Sequence, residues 1–111
     1  MRRTFLALEA FSSVVRHLRL PDEHIRLLER EIMEGKGEVI IGTGGLRKIR
    51  CALPGRGKSG GIRVVFADYP AAGRCYLVAA FAKSVKENLN ALERKTLRDI
   101  KAAMDRAIFD N

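Results

Sequence analysis

Leu46-Arg47-Lys48-Ile49-Arg50-Cys51-Ala52-Leu53 is the stretch where the chain changes its period. Ile49, Cys51 and Leu53 alternate with Lys48, Arg50 and Ala52, so the segment reads as a strand with one apolar and one basic face. Pro54-Gly55-Arg56-Gly57-Lys58-Ser59-Gly60-Gly61 follows as a glycine-rich turn, and Ile62-Arg63-Val64-Val65-Phe66-Ala67 as a second strand. Asp68-Tyr69-Pro70-Ala71-Ala72-Gly73 is another turn, and residues 75–82 a third strand. Short turns between consecutive strands predict an antiparallel meander.

On either side of this block the period is helical. Thr4-Phe5-Leu6-Ala7-Leu8 reads as a short first strand. From Glu9, Phe11, Val14, Val15 and Leu18 fall on one helical face. Leu20-Pro21-Asp22-Glu23 breaks this helix and starts a second, in which Ile25, Leu28 and Ile32 form the buried face. Gly35-Lys36-Gly37 ends it. Downstream, Ser84 is the expected N-cap of a final helix with an apolar stripe of Val85, Leu89, Leu92, Leu97, Ile100, Met104 and Ile108. The predicted fold class is α+β: two N-terminal helices, an antiparallel sheet and a C-terminal helix, with the helices on one sheet face. The basic strand residues would line the other face. At 111 residues the chain is expected to be one domain, 1–111, too short for a two-domain nucleotide enzyme.

The charge is uneven. Of the formal net +8, residues 1–38 contribute nothing, residues 39–67 contribute +6 without a single acid, and residues 68–111 contribute +2. An uncompensated cluster of this kind repels itself unless a polyanion or an acidic partner faces it, and nucleic acid is the commonest polyanion. Cys51 and Cys75 stand alone in strand-like segments, which suits reduced thiols in a cytoplasmic protein rather than a disulfide framework. The longest apolar run, in residues 76–82, falls far short of the about 20 residues that span a membrane. The basic N-terminus does not read as a signal peptide.

Two motifs mislead. Gly57-Lys58-Ser59 has the ending of a phosphate-binding loop, and Gly55, Gly57 and Gly60 have dinucleotide-loop spacing. Both loops work by aiming a following helix N-terminus at phosphate, and here a β-branched run follows. His17 and His24 sit among charged neighbours on the helices and read as surface residues. No metal-ligand cluster, paired carboxylates or Ser/His/Asp set appears, so neither metal nor cofactor is expected, and any catalysis falls to Lys and Arg.

Three segments together are specific: Gly42-Thr43-Gly44-Gly45-Leu46-Arg47-Lys48-Ile49-Arg50, then residues 55–66 with Gly60-Gly61-Ile62-Arg63-Val64, then residues 76–89 with Ala82-Lys83-Ser84-Val85-Lys86-Glu87-Asn88-Leu89. In this set the chain resembles the HigB branch of the RelE-type toxins, within the RelE/ParE superfamily, over roughly residues 38–104. The resemblance implies a metal-independent, ribosome-dependent mRNA endonuclease held in check by a cognate antitoxin, a HigA-like helix-turn-helix protein. In such enzymes the RNA 2′-hydroxyl attacks the adjacent phosphate and the 5′-oxygen leaves. Lys48, Arg50, Arg63 and Lys83 match the family's basic positions at the scissile phosphate. Arginine engages phosphate bidentately, which suits Arg50 and Arg63 to transition-state stabilisation. A lysine crowded by cations gives up its proton more readily, which makes Lys48 a candidate general base. Arg47, Arg56, Lys58 and Lys86 are candidates for gripping the RNA backbone.

One position departs from the pattern. Some RelE-type enzymes carry a tyrosine where this chain has Leu89, which leaves the general acid unassigned. Phe81 and Tyr76 are the aromatic substitutes, but strand alternation assigns them opposite faces, so only one can reach the site. Two other readings share the composition: a non-catalytic ParE-type gyrase poison, which has no need of the four cations, and a basic RNA-binding module without chemistry.

Overall fold

The computed structural model describes residues 2–52, 61–82 and 89–110. Strand β1 (Thr4–Ala7) leads directly into α1 (Glu9–Leu18), which ends where Arg19 turns left-handed at φ 53°. Pro21 caps α2 (Asp22–Met33), whose first turn carries Asp22 and Glu23, as a helix dipole favours. Gly35, at φ +86°, takes the left-handed position that ends the helix, and the amides of Gly35 and Lys36 close back on the carbonyls of Ile32 and Glu31.

Then come β2 (Glu38–Val39), β3 (Arg47–Cys51) and β4 (Ile62–Tyr69), a single 3₁₀ turn at Pro70–Ala72, β5 (Arg74–Ala82) and α3 (Ala91–Phe109). The strands form one sheet in the order β1-β5-β4-β3-β2. β3, β4 and β5 are the expected antiparallel meander, and β2 joins the edge antiparallel to β3. β1 lies parallel to β5, so the sheet is mixed rather than purely antiparallel. A nearly buried ion pair holds the first strand in place: the Arg3 guanidinium donates to both carboxylate oxygens of Asp68 on β4, at 2.9 and 3.4 Å.

Neither sheet face is free, which corrects the one-sided sandwich. Phe11, Leu20, Leu28 and Ile32 of the helical hairpin pack with Ile49, Val64, Phe66 and Leu77 on one side. Leu97, Ile100, Met104 and Ile108 of α3 pack with Val65, Ala67, Tyr69 and Val78 on the other. The physical reason lies in β4, where Val64, Val65, Phe66 and Ala67 are all buried; such a run has no polar face to give to water.

The start of the last helix is also corrected. Its N-cap is Asn90, which accepts from the Glu93 amide while the Glu93 carboxylate accepts from the Asn90 amide, a complete capping box. Ser84 and Val85 lie outside the described residues. Leu92, assigned to the apolar stripe, is 72 % exposed.

Candidate functional site

β3 and β4 together gather the basic residues. In their register Arg50 stands opposite Arg63 and Lys48 opposite Val65, so Lys48, Arg50 and Arg63 share the sheet face that carries α3. Two arginines directly across a strand pair repel each other. None of the three cations is ion-paired among the described residues. The Arg63 Nε is buried with no acceptor among the described residues, as is the Arg47 Nε on the other sheet face. Lys48, Arg50 and Arg63 line an open cleft of about 190 Å³ with Gly37, Glu38 and Ile49.

Glu38 is a cleft residue that the sequence did not single out. It stands opposite Lys48 in the β2–β3 pairing and brings a carboxylate to an otherwise cationic cleft. A two-residue strand is too short to show a period, and its neighbour across the ladder is ten positions away in sequence. The only sequence signal was the glycine before it. Gly37 has φ +115°, and a Cβ there would lie 2.9 Å from the Phe66 ring and 3.2 Å from the Lys48 carbonyl. The Gly37 carbonyl accepts a hydrogen bond from Arg47 Nη2 at 2.6 Å. A ring below and a guanidinium on the carbonyl thus fix where β2 begins.

An apolar groove of about 320 Å³ lies on the same sheet face, between Val65, Ala79 and Phe81 and the start of α3 at Leu89, Leu92 and Leu97. Phe81 sits opposite Arg63 in the β4–β5 register, so cleft and groove adjoin. The strand-parity expectation for the aromatics is corrected here. Val65 pairs with Ala79 but Phe66 pairs with Leu77, leaving Val78 as an extra residue in β5. This bulge reverses the alternation, and Tyr76 and Phe81 both pack on the α3 side. Tyr76 lies at the far end, edge-to-face with Tyr69, and Phe81 alone of the two lines the groove.

Of the other candidates, Arg47 does not join the cluster: it pairs with Phe66 and belongs to the helical-hairpin side. Lys83, Arg56, Lys58 and Lys86 lie outside the described residues, as does the segment predicted as a glycine-rich turn except for Gly61. Among the described residues the next element is the strand β4, not a helix, so the phosphate-loop likeness finds no helix N-terminus there. Cys51 and Cys75 are free and buried, and burial pushes the Cys75 thiol up to about 12, far from a reactive thiolate. His17 is exposed, and His24 meets the Ala52 carbonyl at 3.2 Å. Among the described residues no helix is long and apolar enough to cross a membrane.

Away from the cleft, one polar triad joins β4 to α3. The Tyr69 hydroxyl and the Lys101 ammonium each donate to Asp105 Oδ1 at 2.6 Å, with Lys101 also over the Tyr69 ring. Burial alone pushes the Asp105 carboxyl up, but the hydrogen bonds from Lys101 and Tyr69 outweigh it and hold the group below its ordinary range. Lys48, Arg50 and Arg63, gathered on one cleft without ion-pair partners among the described residues, are suited to an anionic ligand. The sequence matches the family model described as RelE toxin of RelE / RelB toxin-antitoxin system, over residues 2–109.

Proposed function

The chain belongs to the RelE toxin family, and from that premise we propose that it is a ribosome-dependent mRNA endonuclease of the HigB branch, cleaving without metal. Its role is that of the toxin in a toxin–antitoxin pair, with a cognate antitoxin as partner. The observation that carries the catalytic reading is the convergence of Lys48, Arg50 and Arg63 on one cleft without ion-pair partners among the described residues. The three-segment motif set supports the HigB branch, and a HigA-like antitoxin follows from it.

Attack by a 2′-hydroxyl on its neighbouring phosphate builds negative charge on the non-bridging oxygens. Cations already held in place lower that barrier because little reorganises as the charge grows. Arg50 and Arg63 face each other across the strands and bracket the phosphate, each with a fork suited to two oxygens. Phosphate binding relieves their mutual repulsion, and the relief is greatest where the charge is greatest. Lys48 stands beside them on β3, and Lys83 follows the end of β5 in sequence. The groove beside Phe81 gives a nucleobase an apolar wall and a ring to stack on, which offsets the leucine at position 89. Arg56, Lys58 and Lys86 grip the RNA backbone.

Primer extension on an mRNA after induction tests this. Wild type is expected to cut at fixed positions within translated codons, and Arg63→Ala to lower cleavage by roughly 100- to 1,000-fold, the range for removal of one oxyanion donor. The variant's circular dichroism should match wild type. Undiminished cleavage by Arg63→Ala removes the arginine from the chemistry, and a wild type that binds gyrase without cutting RNA points to the ParE-type reading.

A further inference from the structure

We propose that Glu38 is the proton acceptor of the cleavage reaction and that Arg47, from the opposite sheet face, positions it. This rests on the endonuclease reading above and deepens it.

A phosphodiester that is cleaved by its own 2′-hydroxyl needs one group to take a proton and another to give one. Arginines do neither, since they remain protonated. The cleft holds Lys48 and Glu38 besides the arginines, standing opposite each other across the β2–β3 ladder. A carboxylate can only accept a proton and an ammonium can only donate one. The pair therefore divides the work by its chemistry, and the base role that charge crowding suggested for Lys48 passes to Glu38. The O2′–H proton goes to the Glu38 carboxylate as the O2′–P bond forms. The P–O5′ bond breaks, its electron pair stays on O5′, and O5′ takes a proton from the Lys48 ammonium. The products are a 2′,3′-cyclic phosphate and a 5′-hydroxyl, and proton exchange with water restores both side chains. A carboxylate beside a phosphate is repelled by it; Arg50 and Arg63, which line the same cleft, offset that repulsion.

Glu38 is exposed and at the sheet edge, so its aim depends on the backbone before it. That backbone is held twice. The Phe66 ring and the Lys48 carbonyl leave no room for a side chain at residue 37, and Arg47 Nη2 holds the Gly37 carbonyl at 2.6 Å. Arg47 thus has a task in the reaction although it faces away from the cleft.

The test is single-turnover cleavage on ribosomes programmed with a short synthetic mRNA, made with either the normal 5′-oxygen or a 5′-bridging sulfur at the scissile bond. A sulfur leaving group departs without protonation, so it relieves the loss of a proton donor and not that of an acceptor. Glu38→Gln should cut roughly 100-fold or more slowly than wild type with oxygen, and remain as slow relative to wild type with sulfur. Lys48→Met should be slow with oxygen and recover with sulfur. Arg47→Ala should lower the rate by roughly tenfold and add no further loss in the Glu38→Gln background, as for residues acting through one another. Full activity of Glu38→Gln, or its recovery with sulfur, overturns the assignment. An additive loss from Arg47→Ala overturns the positioning role. Cleavage by wild type that Arg63→Ala abolishes and Glu38→Gln leaves intact removes Glu38 alone, whereas a wild type that does not cut removes the endonuclease reading with it.

Discussion

Arg50 and Arg63 carry opposite implications for stability and for activity. Side by side on β3 and β4, without ion-pair partners among the described residues, they disfavour the fold that brings them together. Replacing the exposed Arg50 by a strand-forming threonine is therefore expected to stabilise the protein by about 0.2–1 kcal/mol, the range for one cross-strand pair. Urea denaturation at low ionic strength reads this, and the gain should shrink in salt. The same change should slow cleavage, the usual exchange where a site is built from mutually repelling groups. Lys48, Arg50 and Arg63 were legible in the sequence because strand alternation and charge composition are local properties. Glu38 was not, because its significance comes from the residue across the ladder, ten positions away in sequence.

At the level of elements, α3 is held at its start by a reciprocal cap and along its length by a polar triad. Asn90→Ala removes the side-chain half of the capping box and should cost about 1 kcal/mol, measured by thermal or urea unfolding. The triad of Lys101, Asp105 and Tyr69 makes stability depend on pH. The Asp105 carboxyl is held below its ordinary value of 3.8, so it binds a proton more readily in the unfolded chain. Its contribution is complete above that ordinary value and is lost as pH falls through the folded one. Asp105→Asn is expected to show a smaller drop in denaturation midpoint than wild type between about pH 5 and about pH 2.5; an equal drop excludes this carboxylate as the source. The bulge at Val78 is the element-scale feature that strand alternation alone could not show. One extra residue put Tyr76 on the same sheet face as Phe81, and nothing in an apolar run marks where a ladder skips.

For the whole molecule, the toxin role makes a simple demand. Expression without antitoxin should arrest growth, co-expression of the cognate antitoxin should relieve the arrest, and Arg63→Ala should grow normally at equal protein level. Normal growth with abundant folded wild type contradicts toxicity. The two N-terminal helices, the antiparallel meander and the basic strand face could be read directly from the chain, because periodicity and turn chemistry act over a few residues. The β1–β5 pairing, the covering of both sheet faces, the Asn90 cap and the approach of Glu38 to Lys48 could not. Each is a contact between segments far apart in sequence or a choice among nearby caps, settled by packing: where two apolar faces must both be buried, and where a ring and a guanidinium leave a single path for the backbone.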